Sequence, residues 1–505
     1  MFEIFYQDHL EFFKNSLNKH INHRILNNKN LFIEHILKNV IKNLDKVIAP
    51  IVCWQLYLDK SNNLIKGITS YERFQNFLKS RKNSLLKIYN NIDKIITNYL
   101  TEEELFIKQI LEIVSKNWRQ IDKIFNIHAP LLYFQEPTSS DRHYQGKRTI
   151  FLKFKNNKII KIKPFLFSCQ PLFYAILKKF NQDNSHKLKI TLNIQIDNFW
   201  FSEFIPVQNK NINIQSAEIF YKKLGCLFAL TFAFNGSDYH MENIIASKTD
   251  PVITDSETFF TNYSIYKNKK LINSLLSTGF IERLTKNSPT SAIWGGNKKL
   301  LSLTQPIIIN PNTDKMRLKF KSFSKILPNN RIFKDNKILW QPQKFKKHIL
   351  QSFQETYLWI IRNKENILNL IDNYQQPIFT RVILRKTSFY AILIQHILQP
   401  INLPLSQFKL KLKHAFYQNS QRFHNNYKNF LFKKIIAYEI NNIQKISIPI
   451  FWQNIKEKHL YLGEEKYKNF FPKTAYELLN EKLQTMNNRQ LQYYLQKINN
   501  YLSPK

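Results

Sequence analysis

Asp238, Asn243 and Asp255 are the side chains from which this sequence could build a reaction centre. They lie in one stretch, Asn235-Gly-Ser-Asp-Tyr-His-Met-Glu-Asn-Ile-Ile-Ala-Ser-Lys-Thr-Asp-Pro-Val-Ile-Thr-Asp-Ser-Glu257, with Asn243 five residues after Asp238 and Asp255 twelve after Asn243. A carboxylate can receive a hydroxyl proton. An amide oxygen and a second carboxylate are hard ligands of the kind Mg²⁺ takes. For both to face one ion the chain must leave the Asp–Asn loop and come back, and Asp250-Pro-Val-Ile-Thr254 reads as a turn and short strand that would return it. A proton acceptor beside a bound cation is machinery for moving a phosphoryl group.

The neighbouring elements fit that use. A kinase catalytic loop places its base Asp five residues before a metal-binding Asn, with the second metal carboxylate about a dozen residues later. Residues 218–234 form a nearly all-apolar segment, the kind of helix that buries itself beneath such a loop. Residues 149–155 and 158–163 read as strands around the turn Asn156-Asn157, ending in Lys161-Ile-Lys163-Pro164. A kinase needs one sheet lysine on the nucleotide phosphates, and Lys163 is placed for it. The helix predicted over 171–181 carries no acidic residue, so the usual Lys–Glu pair cannot come from it. Strands over 189–196 and 199–205 would end at a hinge, with the adenine site along that edge.

A second centre is Phe379-Thr-Arg-Val-Ile-Leu-Arg-Lys-Thr-Ser-Phe-Tyr390. An extended 381–385 would put Arg381, Ile383 and Arg385 on one face, continued by Thr387 as the cap of a helix to Gln395. A continuous helix would instead set Arg381 and Thr387 about 240° apart.

Asp238-x-His240-x-x-Asn243 followed by Asp255-x-Glu257 resembles the dehydratase domain of class II lanthipeptide synthetases, the LanM family. Three further stretches extend the resemblance. Ser140-Asp-Arg-His143 is similar to the family's Gly-Asp-x-His loop, with Ser140 for the Gly. Ile162-Lys163-Pro164-Phe165 is similar to its Tyr-Lys-Pro-Arg, keeping the Lys and Pro. Arg381-x-x-x-Arg385-x-Thr387 matches its Arg-x-x-x-Arg-x-Thr. The weaker segments 275–280, 291–296 and 312–316, then Glu439 and Ile448-Pro-Ile-Phe-Trp452, follow in the family's order. The resemblance implies an α+β, kinase-like bilobal core related to lipid kinases, with large helical additions. It implies ATP and Mg²⁺ as cofactors and a ribosomal precursor peptide (leader plus core) as substrate. Ser or Thr of that peptide would be phosphorylated, and the phosphate then eliminated to leave dehydroalanine or dehydrobutyrine. Under that reading Asp238, His240 and Lys163 serve phosphorylation, with Lys163 on the nucleotide and Asn243, Asp255 and Glu257 on the metal. Arg381, Thr387, Asp141 and His143 serve elimination. The expected organisation is an N-terminal helical region (1–127), a small lobe (128–210), a large lobe with the catalytic and metal loops (211–300) and a mainly helical region with the elimination motif (301–505). With no Cys/Cys/His zinc half in view, ring closure is expected of a separate cyclase.

Composition bounds these readings. At 505 residues, 43% hydrophobic and 14% aromatic, the chain suits two or three packed units. Cys53, Cys169 and Cys226 read as buried thiols of a reducing compartment. With no signal peptide and no apolar run near the roughly 18 residues of a membrane helix, a cytoplasmic protein without a span is expected. The 75 Lys+Arg against 36 Asp+Glu give +39, but the lysines are spread through the chain. The expectation is no stable nucleic-acid partner. Two alternatives stand: a phosphotransferase without elimination, and a non-catalytic basic nucleic-acid-binding protein, which predicts salt-sensitive binding and no ATP turnover. The eight glycines are few for this length, so each survivor marks positive φ or close backbone approach. Thr101-Glu-Glu-Glu104 reads as a capping box opening a helix.

Overall fold

The apolar stripe of residues 92–114 packs as one uninterrupted helix, and around it the computed structural model assembles the N-terminal region. The structure describes residues 1–21, 23–137, 140–164, 169–266, 274–281, 291–293, 302–324, 329–335, 338–400, 405–420 and 430–503. Residues 7–125 form α1 (Gln7–His20), α2 (Lys29–Ser61), α3 (Ser70–Arg81), α4 (Leu85–Ile88), α5 (Asn90–Lys116) and α6 (Trp118–Phe125). The capping-box expectation at Thr101 is corrected: Thr101 lies inside α5, its hydroxyl donating back to the Thr97 carbonyl at 3.0 Å. The apolar face on both sides of Thr101 carries the helix through it. Reciprocal caps do occur at Thr69–Glu72 and Thr474–Glu477.

The sheet that follows is antiparallel, in the order β1-β2-β3-β5-β4. Its strands are β1 (Leu131–Gln135), β2 (Ile150–Phe154), β3 (Ile159–Lys163), β4 (Asn193–Ile196) and β5 (Phe199–Glu203), with α7 (Cys169–Asp183) between β3 and β4. One face of β1–β3 shares the core of the N-terminal helices. Asn157 turns the β2–β3 hairpin with φ +64°, a conformation Asn tolerates.

Next come α8 (Ile214–Ala233) and the hairpin β6 (Ile244–Ser247)–β7 (Asp250–Ile253), then the hairpin β8 (Ser302–Ile309)–β9 (Arg317–Ser324). The rest comprises α9 (Lys346–Asp372), β10 (Phe379–Arg381), α10 (Thr387–Ile397), α11 (Leu405–Asn419), α12 (Phe430–Gln444), β11 (Phe451–Asn454), β12 (Leu460–Leu462), β13 (Glu465–Tyr467), α13 (Ala475–Thr485) and α14 (Asn488–Leu502). The mainly helical expectation for 301–505 thus missed a four-stranded sheet, β10-β11-β12-β13, whose three- and four-residue strands are too short to show alternation. A second large core joins α7, α8, α9, α13 and α14. Gly225 lets α8 and α9 touch: a Cβ there would lie 2.6 Å from the Ile349 carbonyl oxygen. All three cysteines are buried and unpaired. Among the described residues no helix is long and apolar enough to cross a membrane.

Candidate active site

The loop after α8 is clamped at both ends before its chemistry begins. Lys482 on α13 donates to the Phe232 carbonyl at 2.5 Å and to Asn235 Oδ1 at 2.9 Å, closing the C-terminal end of α8. Asp238 then adopts φ +65°, an uncommon setting for a side-chain-bearing residue and one held by its surroundings. Tyr239, fully buried, donates its N–H to the Thr278 carbonyl at 2.9 Å. Gly279, φ +88°, lies so close beneath that a Cβ would stand 2.8 Å from the Tyr239 carbonyl carbon. The 275–280 segment is therefore the floor of this loop. Trp294, Gly295 and Gly296, which the sequence reading joined to it, lie outside the described residues, as does Phe165.

The Asn243 amide nitrogen donates to the Asp238 carbonyl at 2.7 Å, leaving its amide oxygen as the acceptor, and Asn243 lines the cleft. The β6–β7 hairpin returns the chain so that Thr254 N–H reaches the Asn243 carbonyl at 3.0 Å. That contact puts Asp255 beside Asn243. His240 Nδ1 accepts from the Glu242 N–H at 3.2 Å, and Nε2 faces Asp238 Oδ1 at 3.4 Å. Burial lowers the His240 pKa, but the Asp238 carboxylate outweighs it and the net shift is upward.

Across the cleft, Lys163 ends β3 and its ammonium meets Asp255 at 2.7 Å and Glu257 at 3.6 Å. Burial favours the neutral Asp255 acid, yet Lys163, Lys161 and Arg381 together hold its pKa down to about 2. The carboxylates that meet Lys163 thus come from the Asp255–Glu257 turn; α7 runs on past the expected helix end to Asp183, whose carboxylate accepts from the Trp359 indole N–H at 3.0 Å.

Arg381 comes to the same place from 124 residues beyond Glu257. Its backbone N–H donates to the Glu257 carbonyl at 2.8 Å, and its guanidinium pairs with the Glu257 carboxylate. Thr380 Oγ1 donates to the carbonyls of Glu257 at 3.1 Å and Phe259 at 2.5 Å, so β10 is stitched onto the Asp255–Glu257 turn. Burial opposes the Arg381 charge, but Glu257, Asp255 and Asp238 raise its pKa on balance.

Asp141 and His143 line the cleft from the loop before β2. Glu103 anchors that loop, its buried carboxylate taking Arg142 at 2.6 Å through one oxygen and Arg148 at 2.6 Å through the other. The stretch read as a helix cap thus supplies an anchor instead. His143 Nδ1 meets the Ile448 carbonyl at 2.8 Å, so Nδ1 carries the hydrogen and Nε2 the lone pair. Burial and the nearby Arg381 charge push the His143 pKa down to about 3. Burial raises that of Asp141; Arg381 opposes, while Glu257, Glu242 and Asp238 add to the rise.

Two expectations at the second centre are corrected. Pairing of β10 with β11 ends at Arg381, and the chain bends at Leu384–Arg385, so Arg381 and Arg385 do not share a face. Arg385 is buried elsewhere, on Glu439 at 2.7 Å. Lys386 holds the cap position of α10 and Thr387 is its first helical residue, without a side-chain cap bond. Thr387 is not among the residues lining the cleft.

The cleft encloses about 450 Å³. Phe151, Phe204, Ile205, Val207 and Ile245 form an apolar flank able to take a flat ring, continuous with the charged end at Lys163, Asp255 and Arg381. The sequence reading named none of those contacts and passed over Lys161, although its place two residues before Lys163 on a strand puts it on the same face. Among the described residues no three His, Cys, Asp or Glu side chains form a ready cation cage. Asn243, Asp255 and Glu257 supply oxygen donors of the kind Mg²⁺ takes, although the two carboxylates meet Lys163 and Arg381 in this structure.

A family model described as a domain of unknown function, DUF4135, matches residues 89–454. The chain is also similar to the lacticin 481/lactococcin biosynthesis protein LcnDR2 of Lactococcus lactis subsp. lactis, 26% identical over 460 residues that cover 83% of this chain and 47% of that protein. The chain spans about half the length of this curated relative.

Proposed function

The chain belongs to the DUF4135 family, related to lanthionine synthetases, and from that premise we propose that it dehydrates Ser and Thr of a ribosomal precursor peptide, phosphorylating first and eliminating second. The observation that carries this reading is the Arg381–Glu257 pair in the cleft where Lys163 meets Asp255. The overall architecture is read as kinase-like, with ATP as co-substrate between the β1–β5 sheet and the α8 layer.

In the first step the peptide hydroxyl oxygen attacks the γ-phosphorus of ATP, ADP leaves, and Asp238 receives the hydroxyl proton. Lys163 holds phosphate oxygens, and Tyr239, Gly279 and Lys482 keep the loop in place. Asn243, Asp255 and Glu257 would hold Mg²⁺, which supplies neutralisation of phosphate charge. In the second step a base removes the Cα proton, the Cβ–O bond breaks, and phosphate departs as the alkene forms. Arg381 faces the departing phosphate with a fixed positive charge. Asp141, its pKa raised, is suited to carry a proton, and His143, kept neutral by burial and the Arg381 charge, lines the same cleft as a hydrogen-bonding partner.

Mass spectrometry of a Ser/Thr-containing precursor co-expressed with the full chain tests this. Each processed residue should lose about 18 Da, Arg381→Ala should leave residues about 80 Da heavier, and Asp238→Asn should leave the peptide unmodified. Dehydration that survives Asp238→Asn would sink the proposal. The position of Thr387 outside the cleft lining favours a second reading, phosphotransfer without elimination, in which the wild-type product itself keeps the added phosphate.

A further inference from the structure

β3 offers two lysines to the cleft, and the chemistry above uses one. Lys161 and Lys163 leave the strand on the same face, and both line the cavity. Their surroundings differ. Lys163 holds the carboxylates of Asp255 and Glu257, and Arg381 takes the other Glu257 oxygen. Lys161 Nζ donates to the Thr254 carbonyl at 2.7 Å and forms no ion pair among the described residues. Burial, with the neighbouring Lys163 ammonium, pushes its pKa down to about 7. The charge of Lys161 is thus under-compensated, a state that an entering anion relieves.

The Thr254 carbonyl belongs to the residue before Asp255, so Lys161 is tethered beside a proposed cation ligand. A nucleotide polyphosphate must pass that point. The sequence leaves side chains to do the gripping, since Ser140-Asp-Arg-His143 contains no glycine to bring backbone amides around phosphate. We propose that Lys161 is a second polyphosphate-binding cation, contacting nucleotide phosphate oxygens alongside Lys163. The proposal rests on the reading of this cleft as a nucleotide site.

Calorimetric titration of the full chain with ATP plus Mg²⁺, and separately with adenosine, tests it. Lys161→Gln should weaken ATP binding about tenfold, the scale of one lost charge-assisted hydrogen bond, and leave adenosine binding unchanged. Lys161→Arg should recover most of the ATP affinity. Equal losses for ATP and adenosine would assign Lys161 to shaping the cleft and overturn the proposal, as would unchanged ATP affinity. If the wild-type protein binds neither probe, the nucleotide reading itself falls, a result distinguishable from either of those. A measurement on the unmutated chain guards against misfolding. Inorganic tripolyphosphate should protect Lys161 from an amine-acylating reagent, mapped by mass spectrometry, and absence of protection would contradict the proposal.

Discussion

His143 shows how one side chain acquires a task from its surroundings. Its ring is buried, with Nδ1 on the Ile448 carbonyl, and burial with the Arg381 charge pushes its pKa down to about 3. An unfolded histidine titrates at about 6.5. Above that pH both states are neutral and the difference costs nothing. As pH falls from about 6.5 toward 3 the unfolded chain takes up a proton that the folded ring refuses, so stability is lost across that window. Between pH 7 and pH 5 the His143 contribution should amount to about 2 kcal/mol. Urea unfolding at the two pH values checks this: His143→Asn should lose about that much less stability than the wild-type protein over the interval. An identical drop in both would mean that the folded ring takes up its proton over the same pH range as the unfolded one.

Elements set where such residues meet, and the crossing of α8 on α9 governs the loop bearing Asp238. Gly225 lies at that crossing, where an added Cβ would come within 2.6 Å of a backbone oxygen. Gly225→Ala gains helix propensity worth up to about 1 kcal/mol. Pushing two packed backbones apart costs more, typically 1–3 kcal/mol, so the net effect should be destabilising. A lower denaturant midpoint is the expected reading, and a raised one would show that the helices have room to part. The bend at Leu384–Arg385 is also decided between elements. Val382 and Leu384 enter one core cluster, while Arg385 turns to Glu439 on α12.

At the scale of the whole molecule, the N-terminal helices anchor parts of the chain far away in sequence. Asp314, in the β8–β9 turn, is fully buried and paired with Lys60 at 2.8 Å and Arg73 at 2.9 Å. Glu103 joins α5 to the loop of Asp141 and His143 through Arg142 and Arg148. Removing one partner of a buried ion pair leaves uncompensated charge and costs roughly 3–5 kcal/mol. Glu103→Gln should therefore lower stability by about that amount, measured by chemical unfolding. Under the proposed two-step reaction, Glu103 anchors the loop of Asp141 and His143 and not that of Asp238, so the surviving protein should accumulate phosphorylated peptide. Equal loss of both steps would argue against this division of labour.

The sequence by itself determined what local pattern can encode. The Asp238–Asn243–Asp255 spacing implied the loop and returning hairpin, and the two strand runs around Asn156-Asn157 gave β2 and β3 with Lys163 at the end. Those features depend on neighbours within a few turns or strands. The tertiary structure alone decided the rest. Glu257 joins Lys163 to Arg381, Lys161 turns to a carbonyl, Thr101 is carried through a continuous helix, and Arg385 leaves the cleft for Glu439. Each of these depends on which distant surfaces pack together, and a buried charge takes whatever partner that packing brings within reach.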